Sequence, residues 1–176
     1  MQSPFPGRRW LLAAIAILIL GLVWMPPAQA SLHTYRERPG QVTVRSQQSL
    51  RDDSDRAWQA VAVKRWQQGQ YQGTYLRLVG FPEVVTLDGD RPLALLAPTG
   101  QQWQLAPSLD SQTAQLPANA AQYNLEPLLG DLTAALPLDL QVPISEATPA
   151  TLTLAPFQVQ EWLQLRDRAV AEPKKT

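Results

Sequence analysis

Residues 49–82, SLRDDSDRAWQAVAVKRWQQGQYQGTYLRLVGFP, decide the architecture of this chain. Ala57 to Trp66 and Tyr71 to Val79 are rich in Val, Trp, Tyr and Leu, which suit a pleated, half-buried surface, and Gln67-Gln68-Gly69-Gln70 supplies the glycine of a tight turn. The expectation is a β-hairpin, and its register has two solutions. A two-residue loop at Gln68-Gly69 sets Trp66 opposite Tyr71, Ala62 opposite Tyr75 and Trp58 opposite Val79, with Val61, Val63, Leu76 and Leu78 on the other face. A three-residue loop, Gln67 to Gly69 with Gly69 left-handed, slips the ladder so that Trp58, Ala60 and Ala62 join Leu76 and Leu78. Turn chemistry favours the second, because a type I′ turn asks Gln68 for a positive φ. Segregation of aliphatic from aromatic side chains favours the first.

The first register gathers Trp58, Lys64, Trp66, Tyr71, Tyr75 and Arg77 on one face, a candidate interaction surface, since aromatics and arginine concentrate binding energy at interfaces. The alternative is that this face is core, covered by a C-terminal helix through Val159, Trp162 and Leu163; an amphipathic helix must bury its stripe somewhere, which favours burial. Ahead of the hairpin, Arg51-Asp52-Asp53-Ser54-Asp55-Arg56 places three acids beside two arginines. Hard oxygen donors could hold a cation, and close carboxylates could share a proton. The calcium-loop pattern fails for want of its glycine and distal glutamate. The reading preferred is a polar turn of Arg51, Asp52, Asp53, Asp55 and Arg56, in which Asp and Ser side chains bond nearby backbone amides.

The first 30 residues read as a secretory signal peptide: Arg8-Arg9, an apolar run from Leu11 to Met25, then Ala28-Gln29-Ala30 as the cleavage site. Fifteen residues at about 1.5 Å each reach only about 22 Å, short of a roughly 30 Å hydrocarbon core, so a permanent anchor is disfavoured and membrane contact is expected only before cleavage. Removing the two arginines of this leader leaves 13 basic and 15 acidic side chains over 146 residues, a net of −2. That balance gives nucleic acid no bulk attraction. There is no cysteine and one histidine, His33, so the usual soft-ligand metal sets are missing, and no cofactor or metal is expected. No nucleophile elbow, P-loop, dinucleotide fingerprint or H-E-x-x-H occurs.

Beyond the leader, residues 31–40 read as an arm carrying His33, residues 41–171 as one domain and residues 172–176 as a solvated tail. Gln41 to Leu50 alternates as a half-buried strand. After the hairpin, short strands are expected at Val84 to Leu87, Pro92 to Ala97, Gln101 to Leu105, Leu136 to Val142 and Thr151 to Leu154. Ser108 to Ala118 reads as a long loop. Asn124 caps a short helix that stops at Gly130. The run from Pro156 forms an amphipathic helix with Phe157 and Trp162 as its bulky anchors. The fold expected is mainly β (α+β), an antiparallel sandwich or partly open barrel with a short mid-chain helix and a C-terminal amphipathic helix.

The segments SLHTY, QSLRDDSDRAWQAV, LRLVGFP and PFQVQEWLQL together resemble domain-of-unknown-function family 3122, a family of secreted cyanobacterial proteins. The likeness covers most of Ser31 to Arg166 and thins from Ser108 to Thr133. It implies an exported protein of the periplasm or thylakoid lumen in a photosynthetic bacterium; it implies no activity and gives no residue a role. The function expected is non-enzymatic: binding or assembling a protein partner outside the cytoplasmic membrane. A carrier of a small apolar or sugar ligand is the alternative, and a hydrolase using turn carboxylates stands third.

Overall fold

The hairpin register combines both solutions. In the computed structural model, which describes residues 32–108 and 116–169, strands β3 (Ala57–Gln67) and β4 (Gln70–Gly80) are joined by the two-residue loop Gln68-Gly69. Both loop residues are left-handed, Gln68 at φ 51° and Gly69 at φ 79°, so the non-glycine position accepts the strain that argued against this turn. Gln67 pairs with Gln70 and Trp66 with Tyr71, but the register then shifts and Arg65 pairs with Gly73. Gln72 is the extra residue of a β-bulge, and Gly73 takes φ 128° to make it. Beyond the bulge Ala62 faces Leu76 and Ala60 faces Leu78, which puts on one face the residues that the slipped ladder puts there, though two residues out of its pairing. One inserted residue thus keeps the tight turn and still puts Trp58, Ala60, Ala62, Leu76 and Leu78 on the core side.

The turn yields a test. Asn-Gly is the preferred type I′ pair, so Gln68→Asn is expected to stabilise the protein by about 0.5–1 kcal/mol, seen as a rise in Tm of about 2–3 °C. A fall in Tm would contradict this turn geometry.

Strand β2 (Gln41–Arg51) pairs with β3 along its whole length, and β1 (His33–Arg38) pairs with β2. The expected arm is therefore an edge strand, and Pro39-Gly40 is the turn between the two strands, with Gly40 at φ 78°. On the far side β4 pairs with β7 (Ala120–Asn124), giving a five-stranded sheet in the order β1-β2-β3-β4-β7. Strand β7 was not legible: its residues AAQYN carry weak β propensity, and burial on both faces erases alternation.

A second, four-stranded sheet runs β6 (Gln102–Leu105), β5 (Leu93–Leu96), β8 (Leu138–Val142), β9 (Ala150–Leu154), all antiparallel. Alternate residues of β5, β8 and β9, namely Leu93, Leu95, Leu138, Leu140, Leu152 and Leu154, are fully buried against Trp58, Leu76 and Leu78. The sheets form a sandwich-like arrangement that does not close, touching at two corners by the isolated bridges Asp52–Leu152 and Pro107–Tyr123. Expected strand Val84–Leu87 is reduced to one bridge, Leu87 to Ile144. In the β5 segment only alternate residues are fully buried.

Helix α1 (Glu126–Asp131) follows β7, its first amide held by the Asn124 side chain at 3.0 Å; Gly130 lies within it and does not stop it. Helix α2 (Pro156–Asp167) closes the core. Eleven-residue strands reach about 36 Å whereas four- and five-residue strands reach about 15 Å, so the smaller sheet leaves part of the larger one's inner face bare. Helix α2 fills that space, burying Val159, Trp162, Leu163 and Leu165. A polar seam fixes its position, Ser46 Oγ donating to Glu161 Oε2 at 2.6 Å and Gln48 Nε2 to the Gln158 carbonyl at 2.9 Å. Phe157 is not an anchor. It is 68% exposed, because two helical steps from Val159 turn it about 200° away from the buried stripe. The expected signal peptide, most of the expected loop 108–118 and the tail lie outside the described residues.

Candidate functional site

The bulge that sets the core also builds a cleft. By inserting Gln72, it brings Tyr71 to the side of Thr74 and Lys64 and sends Tyr75 and Arg77 to the opposite face of the sheet. The expected single aromatic face is therefore divided. Trp58 is core at the far end of the hairpin; Lys64, Trp66 and Tyr71 meet at the turn end; Tyr75 donates to the Gln72 carbonyl and Arg77 to Gln122 on the outer face.

Lys64, Trp66 and Tyr71 form one wall of a cleft of about 620 Å³, completed by Glu126 and Leu129 of α1 and by the C-terminal end of α2, Arg166 to Ala169. Trp66 is buried, and its ring lies 6.1 Å from that of Tyr71, which is 47% exposed. The Tyr71 hydroxyl shares a hydrogen bond of 2.7 Å with Thr74 Oγ1 and donates to Glu126 Oε1 at 2.6 Å. Burial, then the bond to the Glu126 carboxylate, pushes the Tyr71 phenol up to about 12, so it stays a donor at physiological pH.

The Lys64 ammonium lies 5.3 Å from the Trp66 ring centroid and 5.7 Å from that of Tyr71, and donates to the carbonyls of Arg166 and Arg168. It caps the negative end of α2. Burial lowers its pKa and the charge of Asp167 opposes that shift. Arg166 ties the helices together, donating to the Leu132 carbonyl at 2.9 Å and the Leu129 carbonyl at 3.3 Å, while its Nε pairs with Asp167 at 2.8 Å. Lys64→Met is expected to lower stability by about 1–2 kcal/mol, about 3–6 °C in Tm, and to speed amide exchange at the C-terminal turn of α2. Unchanged exchange there would remove Lys64 from the capping role.

The polar turn is an organised Asx structure. Asp52 Oδ1 accepts from the backbone amides of Ser54 (3.0 Å) and Arg56 (2.9 Å), and Oδ2 accepts from Arg56 Nε (2.6 Å) and Trp58 Nε1 (3.0 Å). Burial alone would raise its pKa, but the Trp58 indole, the Arg56 amide and guanidinium and the Ser54 amide outweigh burial and hold it below the usual carboxylate range. Arg51 pairs with Asp55 at 3.1 Å, and Asp53 is exposed. Arg51 also edges a second cleft of about 640 Å³ with Trp58, Val79, Phe81 and Asn119. His33 lies in edge strand β1, its ring 6.2 Å from that of Tyr35.

Glu126, Leu129, Arg166 and Arg168 were not legible as site residues. Glu126 falls in the first turn of the expected short helix and Arg166 at the helical spacing of Val159, Trp162 and Leu163, positions that carry no sign of a site; only the packing of α1 against α2 brings them to Tyr71.

Fold and site together define an open two-sheet, mainly β domain with a helix-walled aromatic cleft at a hairpin tip. The chain belongs to the family described as "Protein of unknown function (DUF3122)", which matches residues 30–165. No curated protein and no solved structure matches it.

Proposed function

We propose that this chain is a non-enzymatic binding protein, exported to the periplasm or thylakoid lumen of a photosynthetic bacterium, that helps to assemble a protein complex there by gripping a partner segment in the cleft at the hairpin tip. The observation that carries this reading is Tyr71: a large aromatic side chain 47% exposed on a concave, mostly apolar wall, held in one orientation by Thr74 and Glu126. Fixed aromatic anchors in concave sites are where interfaces concentrate their energy. Non-enzymatic action is supported by the turn carboxylates, because both oxygens of Asp52 are occupied by donors and its proton affinity is low, the opposite of a general acid. A partner is favoured over an enclosed apolar cargo because Trp58, Tyr123 and the leucines of both sheets fill the space between them.

The test is a pull-down of the mature protein, tagged after Thr176, from membranes of its own organism, with proteins and small molecules identified by mass spectrometry. A stoichiometric protein partner lost with Tyr71→Ala and retained with Tyr75→Ala, on the opposite face, is the expected result. A bound lipid, pigment or sugar without a protein partner would replace this reading with that of a carrier.

A further inference from the structure

We infer that the anchor this cleft takes from its partner is an aromatic side chain bearing an N–H or O–H donor, tryptophan or tyrosine, stacked on Tyr71 and donating to Glu126; this rests on the partner-binding reading above. The charges on the lining decide between classes of anchor. Lys64 is spent on the carbonyls of Arg166 and Arg168, and Arg166 on Asp167 and the carbonyls of Leu129 and Leu132. Asp167, also on the lining, is taken up by Arg166, which leaves Arg168 and Glu126 as the charges with no ion pair among the described residues. An anionic anchor meets Glu126 and Asp167, and a cationic one meets Arg168 with Lys64 behind it, so a lining that carries both signs penalises a charged anchor of either sign and complements a neutral group. The rest of the wall, Trp66, Tyr71, Leu129 and Ala169 among it, complements an apolar body.

Glu126 then selects among neutral anchors. Its Oε1 accepts from Tyr71, while Oε2 accepts from no group among the described residues. A phenylalanine or leucine lowered onto Tyr71 would strip water from that oxygen and return nothing. An indole N–H or phenol O–H restores the bond, and a hydrogen bond to a charged group outweighs a neutral one. Tyrosine and tryptophan also bring area at little cost in side-chain freedom.

The experiment titrates N-acetyl-tryptophanamide, N-acetyl-tyrosinamide, N-acetyl-phenylalaninamide, N-acetyl-argininamide and methyl glucoside into the mature protein, following the amide signals of Gly69, Tyr71 and Gly130 by NMR. The tryptophan and tyrosine amides are expected to bind about threefold to tenfold more tightly than the phenylalanine amide, and Glu126→Ala to abolish that margin while leaving the phenylalanine amide unchanged. Equal binding of phenylalanine, stronger binding of the arginine amide or the glucoside, or no saturable shift with any probe would overturn the inference. Each of those results leaves a Tyr71-dependent partner in the pull-down standing, whereas a pull-down in which the wild-type protein captures no partner, or one that Tyr71→Ala retains, removes the wider reading itself.

Discussion

Trp162→Ala is expected to destabilise the protein by about 3–5 kcal/mol, lowering Tm by about 10 °C or more. Trp162 is fully buried and is the largest side chain that α2 lays against the long sheet, so its loss opens a cavity beneath a helix held against β2, β3 and α1. Its indole Nε1 is buried with no hydrogen-bond partner among the described residues. Trp162→Phe removes that unsatisfied donor while keeping most of the ring, and is therefore expected to cost only about 1–2 kcal/mol. Equilibrium urea unfolding of both variants checks the pair. Equal damage from the two would mean that the indole N–H has a partner whose loss matters as much as the volume.

The second large effect is at Asp52. Its side chain is wholly shielded and takes four hydrogen bonds, one from the indole of core residue Trp58. Asp52→Ala strands those donors and is expected to cost about 3 kcal/mol, about 6–12 °C in Tm. The pH dependence has a definite sign. Because the folded pKa lies below the unfolded value of about 3.9, Asp52 contributes stability that is present above that value and is lost as pH falls through the lower folded one. Asp52→Asn lacks this titration, so the gap between wild type and variant should be widest above about pH 5 and narrow steadily below about pH 4. A gap constant from pH 7 to 3 would show that the Asp52 charge does not hold the turn.

Both effects concern residues whose positions were partly legible. The helix bearing Trp162 was expected from Val159, Trp162 and Leu163 at helical spacing, and its covering of the hairpin was the favoured alternative; all three are buried. Phe157 was misplaced because its apolar character says nothing of which side of the first turn it faces. Asp52 was expected in a turn capped by its own side chains, which it is, but its bond to Trp58 joins that turn to the core and needs a distance that sequence does not carry.

The sequence by itself determined what depends on neighbours a few residues apart: the hairpin and its glycine turn, the alternating leucines of the short strands, the amphipathic last helix and hence a mainly β domain with two helices. Period-two and period-3.6 patterns are local properties of the chain, and burial of one face follows from them. The tertiary structure alone decided the rest. Whether Trp66, Tyr71 and Tyr75 share a face turned on one bulged residue, Gln72, because a single insertion inverts every side chain beyond it. Strand β7, invisible for want of alternation, exists because β4 offers it an edge. The cleft exists because helices α1 and α2, far apart in sequence, come to the same end of the hairpin, where Glu126 accepts from the Tyr71 hydroxyl and Lys64 lies 5.7 Å from its ring. Such convergence is set by the packing of whole elements against one another, and no local pattern encodes it.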